Sequence, residues 1–162
     1  MLLNIDRLQA GMKNAGLDAL VATTPENVTY TSGFWAMSQW IRRGPQAYVL
    51  IPAKNPDDSS VIANTGMIDL AADSDVWVRD VRRFGKFIVD ATPDLKLSGQ
   101  DQRMQELLDR EDDGDAVKSL ARAIKDRGLQ SAKIGIDEIG ILPEYWDALV
   151  ELLPDAKLTR AS

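Results

Sequence analysis

The sequence predicts an α/β domain in which a mixed sheet is covered by helices on both faces. Two observations carry that reading. Short apolar runs of strand length alternate with segments of helical periodicity, and one pair of runs, at 46–52 and 59–65, is separated only by the turn-forming AKNPDDS, so it forms an antiparallel pair. The chain has 162 residues, 44% hydrophobic and 27% charged with both signs mixed. A chain of this size buries roughly 70% of its unfolded surface, enough for one domain with a real core. No internal repeat or linker divides residues 1–162.

Asn4 is a suitable N-cap, and Ile5, Leu8, Met12 and Ala15 recur at helical spacing until Gly16, which is placed to end the helix in the left-handed region. LDALVAT (17–23) is a short apolar run bounded by turn formers, as expected of a strand buried on both faces. Thr24, Pro25 and Glu26 supply an N-cap, a proline at the first helical position and an acid in the first turn, so a short helix runs to about Gly33. QAYVLIP and SSVIANT are the hairpin strands; GMIDLAADSD reads as a short helix and DVWVRDV (75–81) as a further strand. Between Gly85 and Gly114 the chain is polar and interrupted by Pro93 and Gly99, with one helix centred on Met104, Leu107 and Leu108.

From the N-cap Asp115, Val117, Leu120, Ala121 and Ile124 form an apolar stripe that Gly128 closes. AKIGIDE is a strand, Leu142-Pro143-Glu144 opens a helix through Tyr145, Leu149 and Leu152 that Pro154 stops, and AKLTRAS supplies a last strand. The central strands, at 18–23, 46–52 and 132–137, are expected to form the core.

Composition excludes several functions. The net charge of −6 gives no reason to approach phosphate backbones or anionic lipid. Without cysteine there are no disulfides, thiolate nucleophiles or cysteine metal sites, and without histidine the commonest general base and transition-metal ligand are missing too. No apolar run reaches membrane-spanning length and the N-terminus lacks a signal-peptide pattern, so the expected location is the cytoplasm.

The acid run DREDDGD (109–115) places Asp109, Glu111 and Asp113 at calcium-loop positions, but the position that needs a bidentate acid is Leu120, so these acids read as a solvated turn. Asp137 and Glu138 follow a strand without a second acid cluster of clear geometry, which favours structural or surface duty. Gly135 and Gly140 lack the central glycine of a dinucleotide fingerprint. Arg79, Arg82, Arg83 and Lys86 are too few for nucleic acid and suit a sheet edge or interface rim. One stretch stands apart. Between Gly33 and the Arg42-Arg43-Gly44-Pro45 turn lie Trp35, Met37 and Trp40, and Trp, Met and Arg are the side chains enriched in interfaces.

The helix-to-loop sequence RLQAGMKNAGLDALVATTPENVTYTSGF, with its Pro-Glu-Asn-Val-x-Tyr-x-x-Gly-Phe run, resembles the amino-terminal domain of the creatinase, prolidase and Xaa-Pro aminopeptidase family, and KIGIDEIGILPEYWDALVELLPDAKL is similar to the end of that domain. The resemblance implies a three-layer, RNase H-like α/β/α fold. It further implies a pita-bread catalytic domain absent from this chain, which in the peptidases binds two divalent metal ions through Asp, His and Glu. No cofactor or metal is expected in residues 1–162 themselves. Family members usually form homodimers, and the loop after the Gly-Phe pair reaches toward the partner's active site; by position Trp35, Trp40, Arg42 and Arg43 match it. The chain alone is then expected to be inactive. A free-standing module binding a small molecule or protein is the alternative; a nuclease is disfavoured by the acidic charge.

Overall fold

The computed structural model describes residues 2–41, 45–88 and 96–162. Its centre is a six-stranded mixed sheet built from β1 (Ala19–Ala22), β2 (Tyr48–Pro52), β3 (Ser60–Asn64), β4 (Asp80–Phe84), β5 (Lys133–Ile136) and β6 (Lys157–Arg160), in the order β4-β3-β2-β1-β5-β6. β2 runs antiparallel to both β1 and β3, while the β1–β5, β3–β4 and β5–β6 pairs are parallel. The three strands expected to form the core, β2, β1 and β5, are adjacent in the middle of the sheet.

Seven helices pack around it: α1 (Ile5–Ala15), α2 (Pro25–Ser32), α3 (Met37–Trp40), α4 (Ile68–Asp73), α5 (Gly99–Leu108), α6 (Ala116–Asp126) and α7 (Pro143–Leu152) among the described residues. The period-two alternation of the strands sorts side chains to two cores. Val49, Ile51, Val61 and Ala63 face α1, α2, α4 and α5, whereas Tyr48, Leu50, Ile62, Ile134 and Ile136 face α6 and α7. This is the three-layer α/β/α arrangement expected. α6 contributes most to the second face, since Val117, Leu120, Ala121 and Ile124 are all buried, and each large apolar side chain so buried contributes roughly 1.5–3 kcal/mol.

The local signals at helix ends hold. Asn4 Oδ1 accepts from Arg7 N at 2.9 Å, Asp115 Oδ1 accepts from Lys118 N at 2.8 Å, and Gly16, Gly33 and Gly128 all have positive φ. The strand expected over 75–81 is displaced, because pairing begins only at Asp80, opposite Ser60, and runs on to Phe84. Residues 75–78 serve α2 instead: Trp77 N and its Nε1 donate to Ser32 O and Thr31 O, at 3.3 and 2.8 Å.

Candidate functional site

The segment from Thr23 to Ile41 leaves the sheet at the end of β1 and is anchored at once. Thr24 is extended and caps α2, with Pro25 in the first turn. Below it lies Asp137, just past the end of β5 and almost wholly buried. Its Oδ2 accepts from Thr24 N (3.0 Å), Thr24 Oγ1 (2.7 Å), Asn27 Nδ2 (2.7 Å) and, more distantly, Thr23 N (3.5 Å). Burial pushes this carboxyl up, but the hydrogen bonds from Thr24, Asn27 and the two backbone N–H groups outweigh it and hold Asp137 below the usual carboxylate range. The negative charge also sits at the N-terminus of α2, where the helix favours it. Gly140 completes the joint, since a Cβ there would overlap the backbone of Thr23 and Thr24.

At the other end of α2, Gly33 takes φ +80, donates to Thr29 O at 2.8 Å, and passes so close to Asp75 that a Cβ would lie 2.8 Å from its carbonyl oxygen. Ser32 Oγ donates to Val28 O and accepts from Phe34 N, which delivers the Phe34 ring into the core.

Beyond Phe34 the usual order of side chains inverts. Trp35 (49% exposed), Met37 (36%), Trp40 (41%) and Ile41 (61%) face outward, while Ser38 (4%) and Gln39 (7%) are buried. The buried pair explains why. Gln39 Nε2 donates to Thr23 O (2.9 Å) and Ala47 O (3.0 Å), and Ser38 Oγ donates to Pro45 O (2.8 Å). Two polar side chains thus fasten the single turn α3 to the flanks of β1 and β2, and helical geometry turns the apolar ones to the surface. Trp40 Nε1 reaches Thr29 Oγ1 at 3.4 Å, a long bond that leaves the indole face free.

Of the residues that the sequence singled out, the structure brings Trp35 and Trp40 onto this one exposed loop; Arg42 and Arg43 lie outside the described residues. Several of the other charged groups are taken up structurally. Asp113 pairs with Arg122 (2.8 Å) and accepts from Ser119, and Asp112 accepts from Gly85 N and Gly114 N. Arg82 binds Asp80 (2.9 Å) and Asp126 (2.8 Å) on the edge strand β4, as a sheet-edge role requires. Asp80 is pushed up by burial, but hydrogen bonds from Ser60, Arg82 and Arg127 hold it below its ordinary range. Among the described residues no three Asp or Glu side chains converge to hold a metal ion, and no helix is long and apolar enough to cross a membrane.

Sequence reasoning did not find the roles of Ser38 and Gln39 or the staple formed by Asp137. The acid after a strand was a visible signal, but its partner Thr24 is 113 positions away.

A mixed six-stranded sheet with helices packed on both faces defines the chain as a three-layer α/β/α domain. The family model of the Creatinase/Prolidase N-terminal domain matches residues 4–162, and the chain belongs to that family. Among solved structures, the Xaa-Pro dipeptidase from Bacillus anthracis is similar at 17% identity and TM-score 0.61, over 98% of this chain and 32% of that one. The N-terminal domain of cytoplasmic peptidase PepQ from Mycobacterium tuberculosis H37Rv is similar at 22% identity and TM-score 0.55, over 98% and 92%. The Xaa-Pro aminopeptidase from Streptococcus thermophilus gives 19% and 0.55, over 98% and 89%. No curated protein matches the sequence. The chain thus spans about a third of the Bacillus dipeptidase and nearly all of the PepQ domain.

Proposed function

We propose that this chain is the non-catalytic amino-terminal domain of a creatinase, prolidase or Xaa-Pro peptidase-like hydrolase, and that its Trp35–Arg43 loop serves dimerisation and substrate recognition at the partner subunit's active site. The observation that carries this reading is the inversion at α3, where polar Ser38 and Gln39 are buried so that Trp35, Met37 and Trp40 stand outside. Exposed tryptophans held on a fixed turn are the arrangement expected of interface anchors, which lose little entropy on binding. An arginine at 42 or 43 adds a guanidinium suited to a substrate carboxylate through two parallel hydrogen bonds.

In this reading the protein is a cytoplasmic homodimer, and the two divalent ions of the peptidases are held by the catalytic domain that follows. With no His and no Cys, and with Asp80, Asp113 and Asp137 committed to ion pairs and hydrogen bonds, this domain contributes shape and contacts, not a reacting group. Calorimetric titration of the 162-residue chain with manganese, cobalt and zinc, beside a prolyl-dipeptide hydrolysis assay, tests the non-catalytic part. Neither stoichiometric micromolar binding nor turnover is expected; finding both would overturn it.

A further inference from the structure

Leu20 lies in β1, a strand paired on both sides, yet it is only half-buried, while Val21 beside it and Ile134 and Ile136 on β5 are fully buried. Alternation explains the difference. Val21, Ile134 and Ile136 face the α6–α7 layer, which covers them; Leu20 faces the α1 layer, which stops short of β5 and β6. The space left there is a groove of about 760 Å³, within the roughly 300–1,000 Å³ of small-molecule pockets. Leu8, Met12, Leu17 and Leu20 supply its apolar lining, and Gly11 keeps it open, since a Cβ there would meet nothing within 4 Å.

The polar groups of the groove gather at its two ends. At the start of α1, Asn4 ties Arg7 to Tyr30: its N–H donates to Tyr30 OH (3.3 Å) and its Oδ1 accepts from Arg7 N (2.9 Å). At the other end, roughly 12 Å along the helix, Lys133 Nζ already donates to Ala15 O (2.7 Å), and Asp18 accepts from Lys133 N (2.9 Å) without lining the groove. Arg7 is the uncommitted cation of the two. Arg82, Arg122 and Arg127 each hold a carboxylate, whereas Arg7 holds none among the described residues, and no Asp or Glu lines the groove. Arg160 plays no part, because alternation puts its side chain on the α6–α7 face with Leu158.

We infer that this groove binds a small amphipathic carboxylic acid in its ionised form. The apolar body lies along α1 against Leu8, Leu17 and Leu20, and the carboxylate accepts from the Arg7 guanidinium and from the Tyr30 hydroxyl, whose own proton is free to donate. An extended peptide is the poorer occupant, because its main-chain N–H and C=O groups would be buried against leucine and methionine without partners. The tryptophan loop of a second copy fits no better. From Gly33 to Gln46 that loop carries no acid and brings Arg42 and Arg43, the same sign of charge as Arg7. Trp35, Met37 and Trp40 do not line the groove, so the site is separate from the recognition loop.

The test is calorimetric titration of the 162-residue chain with decanoate below its micelle concentration, with decanol and decylamine as controls. Saturable binding of decanoate is expected, weakened about tenfold or more by Arg7→Gln and by Gly11→Leu; decanol should bind about tenfold more weakly and decylamine more weakly still. Neither substitution should harm folding, since Arg7 is exposed without an ion pair and leucine is a better helix former than glycine. In NMR spectra decanoate should shift the amides of Gly11, Leu17, Leu20 and Thr159. No saturation at millimolar decanoate, decylamine binding as tightly, indifference to both substitutions, or shifts centred on Trp35 to Ile41 would each overturn the inference. So would a dimer in sedimentation that Gly11→Leu splits, for the groove would then belong to a second copy.

Discussion

The two halves of the segment from Thr23 to Ile41 follow opposite rules. From Thr23 to Phe34 the helix is bounded by the caps Thr24 and Gly33, and every large apolar group but Tyr30 is buried. From Trp35 to Ile41 amide and hydroxyl point inward and indole, thioether and butyl groups point outward. The first half is fixed by local chemistry and one buried carboxylate. The second is held in an arrangement that local burial preferences oppose, which costs stability unless the exposed surface is used elsewhere.

That contrast can be broken most severely at Asp137. Asp137→Ala leaves the part-buried Thr24 and Asn27 donors without their acceptor, and a cost of about 3 kcal/mol is expected in urea denaturation, from the loss of several hydrogen bonds to one charge. The same carboxylate predicts a pH dependence. Its folded pKa lies below the unfolded value of about 3.9, so the stability it contributes is fully present above that value and is lost as pH falls through the folded pKa. The difference in unfolding free energy between wild type and Asp137→Asn should therefore shrink on acidification from pH ~4 downward. A gap unchanged to pH ~2 would mean that the charge does not matter.

Next in size is Gly33→Ala, expected to cost about 2 kcal/mol, because φ +80 is strained for an L residue and the Asp75 carbonyl is in the way. Gln39→Ala sharpens the comparison, since it releases α3 from Thr23 and Ala47 for about 1–2 kcal/mol and should make the tryptophans more accessible to iodide quenching. Smallest is Trp35→Ala. An outward side chain away from the core should shift stability within about ±0.5 kcal/mol, and a thermal melt indistinguishable from wild type is the expected result.

Helix ends were legible because their causes are adjacent in sequence: Asn4 and Gly16, Thr24 and Gly33, Asp115 and Gly128 each act within a turn of the residues they cap. Apolar strand runs were legible for the same reason. The start of β4 was not, because Val76 and Val78 have good strand chemistry but no strand lies opposite them; the partner β3 begins at Ser60, which fixes Asp80 as the first paired residue. Likewise nothing near α3 marks it as a helix, since its anchors, Thr23 and Ala47, are 16 and 8 positions away. The tryptophans stood out in the sequence by composition, but the side they face was set by Ser38 and Gln39.

The recognition reading meets its most direct test in steady-state kinetics on the proposed protein in which this domain is joined to a catalytic domain, with sedimentation run in parallel, for Trp40→Ala, Arg42→Ala and Arg43→Ala. Replacing the contributing arginine should lower kcat/KM at a cost of about 1.5–3 kcal/mol, as for a lost charged hydrogen bond. Trp40→Ala should weaken substrate packing or dimerisation by about 2 kcal/mol. All three variants should fold as wild type does. If all three instead keep wild-type kinetics and dimerise normally, the loop is ordinary structure and the recognition reading is wrong.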